Sequence, residues 1–380
     1  MNQHDGSKKI LHIITGLNNG GAEAVLYRLC TNDNENQHVV ISLMDFGKYG
    51  PLLLDKGMDV YCLNMPQGKV TLKGLIKLYK LLKELTPDIV QTWMYHADLI
   101  GGVVARLAGI KNIYWNIRHS TLEKGLSSKS TIYVAKTCAF FSHFIPKSII
   151  CCASNAVIVH TALGYSKKKI NVICNGYELD QLFINEDQGN AVKKEFSLLN
   201  VPVILGMVGR YDPQKDHSNL LNSLSELRRK KIDFKCLLIG KDLNSSNAVL
   251  NSQINELCLT DNIVFLDQRS DIPSVMNALD IHILSSSFGE AFPNVLAEAM
   301  ACGTPCVTTD VGDAALIVGD TGWVVPPRSS VLLSNAILLA CTERENIDDW
   351  GLRKLAVRER IVNQYSIENM IYKYHKVWSI

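Results

Sequence analysis

Two glutamates eight residues apart, Glu290 and Glu298, are the first candidates for chemistry in this chain. They lie in the segment Ser285-Ser-Ser-Phe-Gly-Glu-Ala-Phe-Pro-Asn-Val-Leu-Ala-Glu-Ala-Met-Ala-Cys-Gly-Thr-Pro, which ends at Pro305. Its small residues and Gly289 read as a loop, and Pro293 and Asn294 are residues that start helices. The unpaired N–H groups and positive dipole end of such a helix hold anions, a diphosphate among them. A loop carboxylate such as Glu290 can accept hydrogen bonds from sugar hydroxyls, and one a turn into the helix, Glu298, from a ribose diol. In isolation both glutamates read equally well as solvated or capping residues. Gly206-Met-Val-Gly-Arg-Tyr-Asp-Pro-Gln-Lys-Asp-His supplies two cations, Arg210 and Lys215. A rigid guanidinium fork with a mobile ammonium suits the neutralisation of a departing diphosphate, although two loop cations alone are more often solvated. Thr15-Gly-Leu-Asn-Asn-Gly-Gly-Ala-Glu places Gly20 and Gly21 ahead of a helix, where backbone can approach a ligand or simply turn. Its spacing is not the G-x-G-x-x-G of a dinucleotide site. Trp115-Asn-Ile-Arg-His-Ser adds His119, and Arg118 as a weaker candidate for an acceptor phosphate.

Positioning these residues requires elements, and the chain alternates short β-branched runs with longer amphipathic ones. Ile10–Thr15, His38–Met44, Ile89–Thr92 and Asn112–Trp115 read as strands; Ala22–Cys30, Leu72–Leu85 and Asp98–Ala108 read as helices. The rhythm restarts near residue 200, with strands at Val203–Val208, Phe234–Ile239, Ile263–Leu266 and Ile281–Leu284 and helices at Ser218–Lys230, Ala248–Cys258 and Ile272–Leu279. Repeated βαβ units predict parallel sheets, hence an α/β chain of two doubly wound Rossmann-like domains. Ligands of such sheets bind at the carboxyl ends of the strands, where every candidate lies, and a cleft between two such domains is the expected place for a site. The boundaries expected are 1–175 for an acceptor domain, 176–363 for a donor domain and 364–380 for a terminal helix crossing back to the first. Asn175-Gly176 marks the turn between the domains.

Taken together, the four segments resemble the retaining glycosyltransferases of family 4, which have the GT-B fold. Glu290 and Glu298 match the E-x7-E pattern within Phe288-Gly-Glu-Ala-Phe-Pro-Asn-Val-Leu-Ala-Glu-Ala-Met-Ala-Cys-Gly-Thr-Pro, and the other segments follow the family order. The resemblance implies a donor site of Arg210, Lys215, Gly289, Ala291, Phe292, Asn294, Val295 and Glu298. Glu290 and His119 would act on the donor sugar, and Gly20 and Gly21 would form a phosphate and acceptor loop. It implies transfer of a hexose or N-acetylhexosamine from a nucleoside diphosphate, UDP foremost, to a hydroxyl with retention of configuration. Glu290 would hold sugar hydroxyls while the leaving phosphate takes the acceptor proton. No D-x-D triplet occurs in the sequence, so no cofactor and no metal are expected, the helix start and two cations serving instead. The acceptor expected is a lipid-diphosphate-linked saccharide of bacterial O-antigen, capsule or related polysaccharide assembly. Two rivals remain at this level: a sugar-nucleotide epimerase or hydrolase, and a non-catalytic subunit that binds a nucleotide sugar or glycan.

Composition narrows the partners. The 380 residues carry a net charge of +2, yet residues 1–175 hold 20 Lys and Arg against 11 Asp and Glu, and residues 176–380 hold 19 against 26. A basic first half is suited to an anionic partner. Lys73, Lys77, Lys80 and Lys83 lie among Leu72, Leu75, Ile76, Tyr79 and Leu82, an amphipathic pattern with a basic edge that also describes an ordinary solvated helix. With Phe140, Phe141, Phe144, Lys136 and Lys147 it leads us to expect transient docking on an anionic membrane surface. No nucleic-acid motif is present, and nucleic acid is not an expected partner. The longest apolar stretch, Tyr133 to His160, is broken by Lys136, His143, Lys147 and Asn155 and falls short of the roughly 18 uncharged residues of a span. The polar start, Met1–Lys9, has no signal-peptide pattern, so the expectation is a cytoplasmic chain that meets the inner face of the plasma membrane. Eleven cysteines without a C-x-x-C pair read as reduced core thiols.

Overall fold

The computed structural model describes residues 6–119 and 128–379, leaving Ser120 of the histidine segment and the first residues of the polar start outside it. The chain divides into two compact units: residues up to Gly176 together with a terminal helix, Ile367–Trp378, and the intervening Tyr177–Ser366. Where the chain leaves and re-enters the second unit its two ends pair, Tyr177 N donating to Tyr365 O at 3.0 Å.

The first unit holds a parallel sheet of β1 (Lys9–Ile14), β2 (Gln37–Ser42), β3 (Asp59–Cys62), β4 (Ile89–Trp93), β5 (Ile113–Ile117), β6 (Ser148–Cys151) and β7 (Ile170–Val172), in the order β3-β2-β1-β4-β5-β6-β7. Its central strands are buried along nearly their whole length, because a parallel sheet with helices on both faces has no wet side; Ile10, Leu11, Ile13 and Ile14 are fully enclosed. The second unit repeats the plan with β8 (Ile204–Val208), β9 (Lys235–Ile239), β10 (Ile263–Asp267), β11 (Ile281–Leu284), β12 (Cys306–Thr309) and β13 (Trp323–Val325), ordered β10-β9-β8-β11-β12-β13. In both sheets the strand order reverses once, between β1 and β4 and between β8 and β11, which makes the carboxyl ends of those strands the natural ligand positions.

The central strands and the helix Leu72–Leu85 fall where periodicity puts them; Thr71 starts that helix by accepting from Gly74 N at 3.2 Å. The edges differ from expectation. β3 is four residues long and alternates more exposed with buried positions, and the helix Tyr49–Asp55 before it is only seven residues long, two turns with Leu53 alone of its three leucines buried, so neither presents a repeating pattern to read. The helix expected over Asp98–Ala108 begins at Tyr95, behind Met94, whose φ of 71° turns the chain without a capping side chain.

A polar chain that spacing alone did not disclose runs through the first unit. Trp93 Nε1 donates to His12 Nδ1 (3.1 Å), His12 Nε2 lies 2.9 Å from His38 Nδ1, and His38 Nε2 lies 3.0 Å from Asp33 Oδ2. Because Trp93 can only donate, His12 must carry its proton on Nε2 and give it to His38, which in turn donates to Asp33. His375, on the terminal helix, completes the chain 2.8 Å from the same carboxylate oxygen. Burial alone would raise the Asp33 carboxyl, but the hydrogen bonds from His38, Asn36 and His375 outweigh it and hold it well below the usual carboxylate range. Trp378 Nε1 donating to Gln91 Oε1 (3.0 Å) and Asn116 Nδ2 donating to Tyr374 Oη (2.7 Å) fasten the terminal helix at two further points. Nine of the eleven cysteines are buried.

Candidate active site

In the second unit the candidates gather at the reversal of strand order. Arg210 and Lys215 follow β8, and Glu290 follows β11. Lys215 Nζ reaches Glu290 Oε1 at 2.6 Å, and both side chains are about nine-tenths enclosed. The same oxygen accepts from Ser286 Oγ at 2.7 Å. Two contacts tie the two loops together, Ser285 Oγ donating to Lys215 O (2.8 Å) and Ser287 N donating to Gln214 O (2.9 Å), and Thr309 Oγ1, at the end of β12, holds the second loop by donating to Ser286 O (2.5 Å). Gly289 turns through a positive φ of 77°, and Gly312, at 64°, packs so closely under Glu290 that a Cβ there would lie 2.3 Å from its carbonyl oxygen. Glu290 is thus aimed by its backbone as well as by its partners.

A buried Lys–Glu pair is at best neutral for stability relative to apolar residues of the same volume, so its presence calls for another reason. Two further groups beside Lys215 are compatible with its charge because they carry none. His217, pushed down to about 4, and His282, pushed down to about 3, owe those values first to burial and then to the lysine itself. Neither ring nitrogen of His217 has a protein hydrogen-bond partner. Arg210 lies further out, with over half of its side chain exposed, bound to Asp212 Oδ2 at 3.0 Å and to Gln214 Oε1 at 3.4 Å. An exposed ion pair of this kind is weak and easily exchanged for a stronger anion.

The helix Asn294–Ala301 begins behind Pro293 with no side-chain cap. Asn294 accepts from Tyr177 Oη at 2.6 Å, Phe292 is buried against the rings of Tyr177 and Tyr365, and Ala291 O accepts from Asp313 N. Val295 and Glu298 are half-buried on that helix, and Glu298 stands near the buried Cys302, whose thiol it helps burial to raise to about 12. The second unit therefore brings Arg210, Lys215, Gly289, Glu290, Ala291 and the start of one helix together. Sequence reasoning missed Ser286, Gly312 and His217; Ser286 and His217 sit in segments already singled out, and only the folded backbone reveals Gly312.

The first unit arranges its candidates more loosely. Gly20 is the extended residue before the helix Gly21–Asn32, which it leaves without a side-chain cap; its φ of −148° is open to any residue, so the absent Cβ provides room rather than a special turn. Glu23 sits on the same first turn, its carboxyl raised by burial. His119 is exposed beyond β5 and stacks on Tyr95 with ring centroids 6.0 Å apart; partial enclosure lowers its pKa. Behind it Tyr95 Oη lies 2.7 Å from His160 Nε2, and His160 Nδ1 lies 2.7 Å from Ala156 O. With Nδ1 donating to that carbonyl, Nε2 accepts from Tyr95, and burial pushes His160 down to about 4. Arg118 is already engaged, donating to Asn175 Oδ1 at 2.9 Å and lying over the ring of Trp93.

Comparison with known proteins establishes the family and the fold. A family model described as Glycosyltransferase Family 4 matches residues 19–181, and one described as Glycosyl transferases group 1 matches residues 191–354. The chain belongs to glycosyltransferase family 4 and has the GT-B fold of two Rossmann-like domains. Among its relatives, the UDP-Gal:alpha-D-GlcNAc-diphosphoundecaprenol alpha-1,3-galactosyltransferase of Escherichia coli is 25% identical over 307 residues, 80% of this chain and 78% of that one. The capsular polysaccharide biosynthesis glycosyltransferase CapM of Staphylococcus aureus is 26% identical over 312 residues, 78% and 77% of the two chains. Of solved structures, Anabaena HepE in complex with UDP superposes with a TM-score of 0.85 at 21% identity, covering 98% of this chain and 99% of that one. No helix among the described residues is long and apolar enough to cross a membrane.

Proposed function

We propose that this glycosyltransferase transfers a hexose or N-acetylhexosamine from a UDP-sugar, with retention, to a hydroxyl of a lipid-diphosphate-linked saccharide in bacterial surface polysaccharide assembly. The observation that carries the reading is the enclosed Lys215–Glu290 pair at the strand-order reversal of the second sheet, beside an uncapped helix start. An incoming diphosphate offers Lys215 a second anion, and the helix start and Arg210 offer it further donors. Glu290 is then free to take the hydroxyls of the sugar, held in place by Ser286. On this reading the developing charge on the leaving diphosphate is met by preorganised donors, without a divalent ion. Glu298 accepts from the ribose, Gly289, Ala291, Phe292, Asn294 and Val295 shape the donor pocket, and His119 serves the donor sugar from the first unit, whose Gly20-Gly21 loop contacts phosphate or acceptor. A front-face route, in which the leaving phosphate takes the acceptor proton, needs no enzymatic nucleophile.

The lipid-linked acceptor is supported by the name of the Escherichia coli relative and by the basic first half of the chain. The same basic half supports transient docking on the anionic inner face of the plasma membrane. The test is transfer by purified protein from a panel of UDP- and GDP-sugars, with and without a diphosphate-linked saccharide, in chelator, with the anomeric configuration of the product read by NMR. Glu290→Ala should lower turnover at least about a hundredfold, in the range of losing one preorganised group. Donor consumption that ignores the acceptor would favour a hydrolase or epimerase, an inverted product would overturn retention, and nucleotide-sugar binding without turnover would favour a non-catalytic subunit.

A further inference from the structure

The first unit contains two cavities that share a wall: one mixes polar and apolar side chains, the other is apolar almost throughout. One opens at the strand-order reversal of the first sheet, where Thr15 follows β1 and His96 follows β4; it has a volume of about 310 Å³. Lys69 lines it from the loop before the helix Leu72–Leu85, exposed. Ser128 and Thr131, at the start of the helix Lys129–Phe141, add hydroxyls 2.8 Å apart. The other cavity is a groove of about 550 Å³ between the helices Leu72–Leu85 and Tyr95–Leu107. Leu75, Ile76 and Tyr79 form one wall and Ile100, Val103 and Leu107 the other, and its lining is apolar almost throughout. Val70 and Ile100 line both cavities, so the groove continues directly out of the mixed pocket.

Helix faces in a doubly wound domain ordinarily finish in polar residues, yet here Ile76 is 49% exposed and Leu107 71%, and Val70, in the loop before the first helix, is 54% exposed. Among the described residues Lys80 is the one cation lining the groove, and Lys69 lines the pocket next door. A ligand that matches both spaces has a polar, anionic head and a hydrocarbon tail joined without a gap. We infer that the mixed pocket and the apolar groove form one two-part acceptor site, in which the saccharide diphosphate lies at the polar side of the pocket, by Lys69 and the hydroxyls of Ser128 and Thr131, and the first part of its lipid chain lies in the groove. The inference rests on the lipid-diphosphate reading of the acceptor and deepens it: the enzyme recognises the chain itself, in addition to any membrane that carries it. Continuity of the two cavities and the lysine at each part select this occupant over a second protein copy, whose apolar contact would have no need of the pocket.

The experiment uses the full chain and acceptors with one saccharide diphosphate head bearing a methyl cap, a short alkyl chain or a long isoprenoid chain, each below its self-association concentration. The wild type should show a KM at least about tenfold lower for the long chain than for the methyl cap, as expected when an apolar pocket is filled. Ile76→Glu and Leu107→Glu, both at exposed positions, should remove that preference and leave kcat and KM for the methyl-capped acceptor unchanged, which also shows that they are folded. Equal KM for all chain lengths would overturn the inference while leaving the acceptor reading intact. So would variants that keep the chain preference but lose binding to vesicles containing anionic phospholipid, a result that makes the groove a membrane face. Variants that keep the chain preference but convert a dimer to a monomer would overturn it in favour of a second copy. If no diphosphate-linked saccharide is glycosylated at any chain length, the acceptor reading itself fails.

Discussion

The two units share a plan but differ at the carboxyl edges of their sheets. In the second, the loops after β8 and β11 are cross-linked by hydrogen bonds from Ser285 and Ser287 and close around the ion pair Lys215–Glu290. In the first, the corresponding edge is open: His119 is exposed, Gly20 leaves its helix uncapped, and a pocket of mixed lining runs out into an apolar groove. The difference teaches how the two substrates are handled. A nucleoside diphosphate has fixed chemistry and rewards a rigid, preorganised site. An acceptor with a long flexible tail rewards a surface with room.

Breaking the ion pair should produce the largest effect. Lys215→Met leaves Glu290 enclosed without its cation and should destabilise the protein by about 3 kcal/mol in denaturant unfolding. Adding Glu290→Leu should restore most of that loss and leave transfer abolished, since the pair serves binding rather than stability. If the double variant stays as unstable as the single one, the pair is structural and the contrast between the units weakens.

On the first unit the expected effect is on rate alone. His119→Ala should lower kcat by about tenfold to a hundredfold, the lower part of the range for one polar group acting on the reacting centre. The melting temperature should stay unchanged, because the ring is exposed. A fall in stability without a fall in kcat would place His119 among the structural residues.

The smallest effect concerns acid. His160 and His217, at about 4, and His282, at about 3, are held neutral in the folded state, below their ordinary value near 6.5. A depressed pKa contributes stability that is fully present above the unfolded value and is lost as pH falls toward the folded one. Each such histidine therefore removes about 1.4 kcal/mol per pH unit below roughly pH 6. His217→Leu should flatten this slope and gain about 1 kcal/mol at pH 5 relative to the wild type, its ring nitrogens having no protein partner to lose. An identical acid slope in that variant would show that His217 titrates normally.

Much of the second unit was legible because its site is built from two contiguous segments. Gly206–His217 and Ser285–Pro305 each combine a strand end, a loop and a helix start, so residue type and spacing carry nearly all the information. Lys215 meeting Glu290 was not legible, since it depends on β8 and β11 being neighbours, a fact of strand order. The first unit was harder to read. Its pocket draws on the ends of four strands and on Lys69, which stands in no motif. The relay from Trp93 through His12, His38 and Asp33 to His375 joins residues up to 363 positions apart, each of which looks like an isolated polar residue in an apolar run. The short edge strand β3 escaped notice because four alternating residues do not form a pattern.

The central claim is that the second unit's carboxyl edge binds the donor diphosphate through its own cations. Calorimetric titration of UDP in chelator, comparing wild type with Arg210→Ala, tests it most directly, because Arg210 is exposed and its loss should not disturb folding. The account predicts binding by the wild type and at least about tenfold weaker binding by the variant, the loss expected for one charge-assisted contact. Equal affinity of the two proteins for UDP, or binding that appears only when a divalent metal is restored, would contradict it.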